Sequence, residues 1–366
     1  MKRLTCRLIS VTPWASGHTS REPPESPLAT QPLFPRNPVR AGLATGPLAL
    51  TAWYMTTGEA GFRTQARGLA SRIAGGAQEL TVDVAKPWRY LPASLIPAPL
   101  DHLTELSDHP APPWPDVLVS CSRRAAAVAI AVKRASGGRT IAIHVQNPLT
   151  DPAAFDLVVA MDHDGLAGPN VISVPTALHD VTPARLGEAA KAWRKRLFKR
   201  GRPLVGVVLG GSNKHQPFTL KMAGELMDGL QKLRRETGSG LAVTPSRRTP
   251  DEIKDAFAAR FAGDPDVFCW DMQGENPYLG ILALSDRLVV TSDSVSMISE
   301  ALATANPVEV FGPDGGRRHA KFLHGLVDKG LVRPFTGERL PPPPGGPIDS
   351  TEIAAQAARA LILSRA

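Results

Sequence analysis

Cysteine is scarce in this 366-residue sequence: Cys6, Cys121 and Cys269 are the only three, and they lie far apart. That excludes a disulfide framework and a cysteine-built zinc site, and it fits a reducing compartment. Histidine is nearly as sparse at nine, with no HxxxH or HExxH spacing, so no dedicated metal centre is expected. No run of about eighteen consecutive apolar residues occurs, which leaves no spanning helix. Aromatic residues make up only 5%, too few for base-stacking platforms, so no specific nucleic acid is expected as a partner. Acidic residues are the minority charge, 34 against 42 basic, for a net charge of +8. The excess favours anionic partners, namely phosphates or an anionic membrane surface. What the chain does have is length for two domains and 43% hydrophobic residues for their cores.

Residues 1–47 are basic, rich in proline and free of hydrophobic periodicity. Three readings fit them: a disordered tail, a start codon placed too far upstream, or a targeting segment whose prolines interrupt its helix. The domain organisation takes them as a disordered tail. Order begins with the apolar run 48–55, which ends at Thr56-Thr57-Gly58-Glu59-Ala60-Gly61 and is followed by a helical pattern through Gln65, Leu69 and Ile73. Further strands are expected at 80–84, 116–120, 140–145, 156–160 and 171–174, with an Ala/Val-rich helix to Arg134. The pattern then restarts. A helix over 182–200 precedes strands at 203–209, 240–244, 267–270, 287–291 and 308–311, with helices between them. Short apolar runs alternating with helices define an α/β fold with mostly parallel sheets. The expected architecture is two Rossmann-like domains with a cleft between them, at 48–180 and 203–366, joined by a linker helix at 181–202. Ligands of such folds bind outside the carboxyl ends of the strands.

Several motifs occur in order: Gly168-Pro169-Asn170, Gly210-Gly211-Ser212-Asn213-Lys214, Ser246-Arg247-Arg248-Thr249-Pro250, and Glu275-Asn276-Pro277-Tyr278-Leu279-Gly280. The run from Val290 through Thr291-Ser292-Asp293-Ser294 to Glu300 follows. In these the chain resembles the mitochondrial fission factor family over about residues 49–332. The resemblance implies a two-domain fold similar to B-type glycosyltransferases. Plant members of that family are associated with recruiting a dynamin-like protein to the mitochondrial outer membrane, and bacterial members have no settled activity. The first strand-turn-helix departs from the family's Asp-Gly-basic-Ala-Gly-His pattern, with Thr57, Glu59 and Phe62 at the polar positions. A catalytic role tied to that turn is not carried over.

The candidate nucleotide site lies in the second half. Gly210, Gly211 and Ser212 follow a buried strand; they are either an ordinary tight turn or a turn whose amides face phosphate oxygens. The matching turn of B-type glycosyltransferases cradles a nucleotide diphosphate, which favours the second reading. Ser292, Asp293, Ser294 and Ser296 lead into a helix, where they either cap it or leave amides for an anion. Glu300, one or two turns in, would reach ribose hydroxyls. Arg247, like its counterparts Arg123 and Arg124, stands after a strand, on solvated surface or against phosphate. His163 between two acids is weighed as a general base.

The helix over 182–200 is amphipathic, with Trp193 on its apolar face and Lys191, Arg194, Lys195 and Arg196 on the other. It would lie on anionic lipid, or dock Trp193 inside the protein with the charges solvated. Two functions follow. One is a metal-independent, nucleotide-sugar-binding glycosyltransferase with no cofactor, the nucleotide sugar being its substrate. The alternative is a non-catalytic membrane-surface adaptor that uses the same fold to dock a protein partner. Either would be cytoplasmic, or peripheral to the inner membrane.

Overall fold

The computed structural model describes residues 46–197, 201–212, 217–338 and 347–365. The expected tail therefore lies, up to residue 45, outside the described residues, as do Asn213 and Lys214 of the glycine turn. The apolar runs form two parallel sheets. In the first lobe they are β1 (Ala52–Thr56), β2 (Gln78–Thr81), β3 (Val117–Cys121), β4 (Ile141–Val145), β5 (Leu157–Met161) and β6 (Val171–Val174), in the spatial order β2-β1-β3-β4-β5-β6. Strands β3, β4 and β5 are buried at every residue, because helices cover both faces and leave no polar side to alternate with. On one face packs α1 (Ala60–Ala74); on the other packs α2 (Arg123–Ala135). The sequence starts and stops these helices locally. The Ser122 hydroxyl accepts the Ala125 amide at 3.3 Å to open α2. Gly75, at φ 73°, takes the left-handed conformation that closes α1.

The linker follows as α3 (Pro183–Leu197), and the second lobe begins with β7 (Leu204–Leu209), α4 (Leu220–Thr237), β8 (Gly240–Pro245), α5 (Asp251–Arg260) and β9 (Val267–Cys269). Then come α6 (Tyr278–Leu284), β10 (Arg287–Thr291), α7 (Val295–Leu302), β11 (Val308–Phe311), α8 (Arg317–Asp328), β12 (Arg333–Pro334) and α9 (Ser350–Leu363). The second sheet runs β12-β11-β10-β7-β8-β9, again parallel. Strand order reverses between β1 and β3 in the first sheet and between β7 and β10 in the second. Those two switch points are where open α/β sheets leave a crevice at their carboxyl ends.

Two parts of the expected domain division need correction. Helix α3 is not a free linker. Trp193 is 2% exposed and joins Leu204, Ile281 and Leu284 in a core of the second lobe. Its indole lies so close to Gly280 that a β-carbon there would come within 2.5 Å of the ring. The tryptophan is therefore no lipid anchor, whereas Lys191, Arg194, Lys195 and Arg196 stay exposed. Helix α9 in turn leaves the second lobe: Ala354, Ala355, Ala358 and Ile362 pack into the core of the first. Arg359 bonds Glu352 at 2.7 Å and the Arg72 carbonyl at 2.9 Å, and the Thr351 hydroxyl accepts the His179 amide at 2.8 Å. Residues 203–366 are thus not one domain, because the last helix completes the cover of the first sheet. Among the described residues no helix is long and apolar enough to cross a membrane.

Candidate functional site

At the second switch point the expected residues come together, but they bind one another. The Gly210 amide donates to the Thr291 hydroxyl at 2.7 Å, and the Gly211 amide to Asp293 Oδ2 at 2.9 Å. Thr291 itself donates to Asp293 Oδ1 at 2.7 Å, and Arg248 Nη2 reaches Oδ2 at 3.1 Å. The Asp293 carboxylate, with 3% of its side chain exposed, thus staples the turns after β7, β8 and β10. The expectation that the Gly210 and Gly211 amides face phosphate is corrected accordingly, since both are already satisfied. The glycines are required for another reason. A β-carbon on Gly210 would sit 2.1 Å from Asp293, and one on Gly211 would sit 2.0 Å from the Arg248 carbonyl oxygen. The chain approaches itself here.

The remaining expected residues divide in the same way. The Ser212 hydroxyl accepts the Phe218 amide at 3.0 Å. Ser292 donates to the Pro313 carbonyl at 2.7 Å, and its own carbonyl meets His319 Nε2, which fixes the segment leading into α8. Ser294 is the N-cap of α7, accepting the Met297 amide at 3.4 Å; capping, the plainer of its two readings, is what the structure places there. Ser296 faces the first lobe, with its hydroxyl 3.9 Å from where a Gly61 β-carbon would stand. Arg247 is exposed, and Arg248 rather than Arg247 makes the ion pair with Asp293. Neither Arg247 nor Ser296 uses its side chain in a hydrogen bond among the described residues.

Glu300 sits one turn below Ser296 and accepts a hydrogen bond from the Tyr278 hydroxyl. Burial, reinforced by the Asp180 carboxylate, pushes its carboxyl up to about 7, against the lowering pull of Tyr278 and Arg185. An acid raised from 4.5 to about 7 holds its proton in the folded state after the unfolded chain has lost it. Its contribution to stability should therefore fall as pH rises from about 4.5 to about 7, by at most about 3 kcal/mol, and be flat on either side. Glu300→Gln keeps an acceptor for Tyr278 and removes the titration. The difference in urea midpoint between variant and wild type should grow in the variant's favour across that window. A pH-independent difference would contradict the assignment.

A cleft of about 1280 Å³ opens between the lobes, and none of the nine expected residues lines it. One wall is the carboxyl rim of the first sheet: Phe62, Ser122, Arg123, Gln146, Asn147 and the turn Asp162–Asp164. Ser122 and Gln146 follow β3 and β4 at φ 98° and 80°, backbone conformations that side chains larger than glycine rarely adopt. Such outliers tend to cluster at functional sites. Beside them, at the first switch point, the Thr57 hydroxyl donates to Glu59 at 2.5 Å and lies 3.1 Å from the Ser122 hydroxyl. The turn holding Thr57 and Glu59 is therefore tied into this wall. Arg123 donates to the Leu91 and Arg89 carbonyls at 3.2 and 2.9 Å, and Arg124 pairs with Asp83 at 3.0 Å, so that pair is braced rather than merely solvated.

The other wall is α8. Phe322, Leu323 and Leu326 bury its apolar face in the second lobe, while Arg317, Arg318 and Lys321 are exposed along the cleft. Arg317 and Lys321 make no ion pair or hydrogen bond among the described residues. Lys321 Nζ reaches across to within 3.9 Å of where a β-carbon on Gly165 would stand. His163, weighed as a base, lies edge-on to Phe322 with 6% of its side chain exposed. Burial holds its imidazole below the ordinary value even with Asp164 3.6 Å away. Desolvation therefore outweighs the lift that its acidic neighbours give. Sequence reasoning missed α8, although apolar residues at 322, 323 and 326 beside bases at 317, 318 and 321 carry a helical signature.

Two facing parallel α/β lobes, a cleft at their carboxyl rims and a last helix that crosses back define a protein of B-type glycosyltransferase-like architecture. The chain belongs to the mitochondrial fission ELM1 family, whose pattern matches residues 60–362. It is 30% identical over 247 residues to the mitochondrial fission protein ELM1 of Arabidopsis thaliana. That match covers 61% of this chain and 58% of the plant protein, less than two thirds of its length. An uncharacterised protein of Rickettsia prowazekii is 24% identical over 330 residues, which cover 78% of this chain and 90% of that one. Among solved structures, the UDP-N-acetylglucosamine 2-epimerase of Rickettsia bellii is similar with a TM-score of 0.42 at 12% identity, over 86% of this chain and 96% of its own. The Neisseria meningitidis epimerase bound to UDP-GlcNAc gives 0.43 at 13% identity, over 68% and 76%.

Proposed function

We propose that the chain binds a nucleoside-diphosphate sugar in the cleft between its lobes and transfers the sugar to an acceptor. The observation that carries this reading is the wall of α8, where Arg317 and Lys321, unpaired among the described residues, present positive charge to a cavity of about 1280 Å³ at the carboxyl rim of a parallel sheet. Charge-assisted contacts to phosphate are the strong ones, and arginine matches its geometry. In transfer, the bond from the anomeric carbon to the diphosphate breaks with its electron pair going to the leaving oxygen, while an acceptor hydroxyl oxygen bonds to that carbon and gives up its proton to solvent. Fixed cations beside that oxygen stabilise the charge as it develops. Ser122, Gln146 and Asn147 on the opposite wall supply hydroxyl and amide groups suited to a sugar. Of the expected residues, Arg247 and Ser296 keep side chains without a hydrogen bond among the described residues, but neither lines this cleft.

The satisfied amides at Gly210 and Gly211 favour a second reading, in which the fold is a non-catalytic adaptor and the exposed bases of α3 meet an anionic membrane surface. A calorimetric titration decides between them. At least one of uridine, guanosine and adenosine diphosphate, or its sugar, should bind at millimolar concentration or below. Failure of all of them would remove the transferase reading and leave the adaptor.

A further inference from the structure

The cleft contains two carboxylates that stand where an anionic ligand would. Asp164 Oδ1 pairs with Arg318 Nη2 at 2.6 Å, and Asp162 Oδ2 pairs with Lys329 Nζ. In both pairs the acid belongs to the turn after β5 in the first lobe and the base to the α8 region of the second. The Asp164 side chain is 4% exposed and its Oδ2 has no hydrogen-bond partner among the described residues. Asp162 is open, with 38% of its side chain exposed. All four residues line the same cleft as Arg317 and Lys321, which are unpaired among the described residues. Between the pairs, His163 meets Phe322 edge-on at 5.5 Å, an apolar contact that keeps the turn against α8. Two of the five lysine and arginine side chains that line the cleft, Arg318 and Lys329, are thus already engaged by the protein's own anions.

We propose that Asp162 and Asp164 are internal competitors of the ligand: a diphosphate takes their place on Arg318 and Lys329, so the two carboxylates set the affinity and anion specificity of the cleft. The inference rests on the reading that phosphate binds beside Arg317 and Lys321. Physically, the Asp162–Lys329 pair is partly exposed on both sides, and an exposed ion pair is weak, with a median near 0 to about 1 kcal/mol. The buried Asp164 is the harder of the two to part from its base. A diphosphate can offer each cation more charge and more acceptor oxygens than a single carboxylate does. Neutral asparagine at either position keeps the side-chain shape and releases the base. A monoanion would gain less than a polyanion from displacing both acids, and that difference gives the cleft its preference.

The probe is inorganic pyrophosphate, titrated calorimetrically at fixed ionic strength into the full chain. Asp162→Asn with Asp164→Asn should bind it roughly 10-fold tighter than wild type. Asp162→Asn alone, at the more exposed position, keeps the test open where the double variant fails to fold, and should gain about 3-fold. Asp328→Asn is the control for mean field. It lines the same cleft and removes the same charge, but it pairs with no base among the described residues, so its gain should stay below about 2-fold. Equal or weaker binding by the asparagine variants, with wild type binding normally, overturns the competitor role and leaves the phosphate reading intact. A gain for Asp328→Asn as large as the others also overturns it. Tighter pyrophosphate binding by the asparagine variants without any nucleoside diphosphate binding supports the competitors and sinks the nucleotide reading. No pyrophosphate binding by any variant sinks both.

Discussion

Arg317→Glu combined with Lys321→Glu is expected to weaken nucleoside-diphosphate binding by roughly 100-fold or more. Each wild-type side chain supplies a charge-assisted contact, and each glutamate replaces attraction with repulsion at the same place. Both positions are exposed and free of ion pairs among the described residues, so the fold should not notice. The apolar face that holds α8, namely Phe322, Leu323 and Leu326, is untouched. The double variant should therefore melt within a degree or two of wild type while losing the ligand. Titration of both proteins at low and moderate salt checks this, because the wild-type affinity should fall with salt more steeply than the variant's residual affinity. An unchanged affinity would place the ligand away from α8.

The second large effect is on stability. Asp293→Ala removes the acceptor for the Gly211 amide at 2.9 Å, the Thr291 hydroxyl at 2.7 Å and Arg248 at 3.1 Å. Two of these donors are buried and would be left unmatched, each at about 1–3 kcal/mol. The expected loss is on the order of 3–5 kcal/mol, discounted at Arg248 because that side chain is 49% exposed. Asp293→Asn preserves one acceptor oxygen and should lose about half as much. Denaturant midpoints, with slopes held in common, provide the comparison. A loss below about 1 kcal/mol in the alanine variant would mean that the three turns are held by something other than this carboxylate.

The fold was legible where burial on both faces turns strands into continuous apolar runs. Arg287–Thr291 and Val308–Phe311 appear in the structure at the bounds the sequence suggests. Helix α9 was not legible, because its buried face is largely Ala354, Ala355 and Ala358, which stand out little from their neighbours. Its return to the first lobe depends on partners such as Arg72 and His179, distant in sequence. The site divides for the same reason. That Gly210 and Asp293 would meet followed from strand ends at a switch point. That they would satisfy each other could not follow, since a free amide and a stapled one have the same sequence. Arg247 and Arg248 are likewise equivalent as letters, and only the register of the turn after β8 chooses Arg248 for Asp293. The cationic wall lay beyond the last apolar run at Phe311, where periodicity rather than hydrophobic length carries the signal.

Amide hydrogen exchange with and without uridine, guanosine or adenosine diphosphate at millimolar concentration tests the central claim most directly, because it locates the ligand without assuming a reaction. Binding in the cleft predicts slowed exchange in residues 317–329 of the second lobe together with 122–124 and 146–149 of the first. It also predicts little change at 210–212, whose amides at Gly210 and Gly211 are already bonded. Protection confined to 210–212 and 246–249 would contradict this placement, and no protection anywhere with all three nucleotides would contradict the ligand itself.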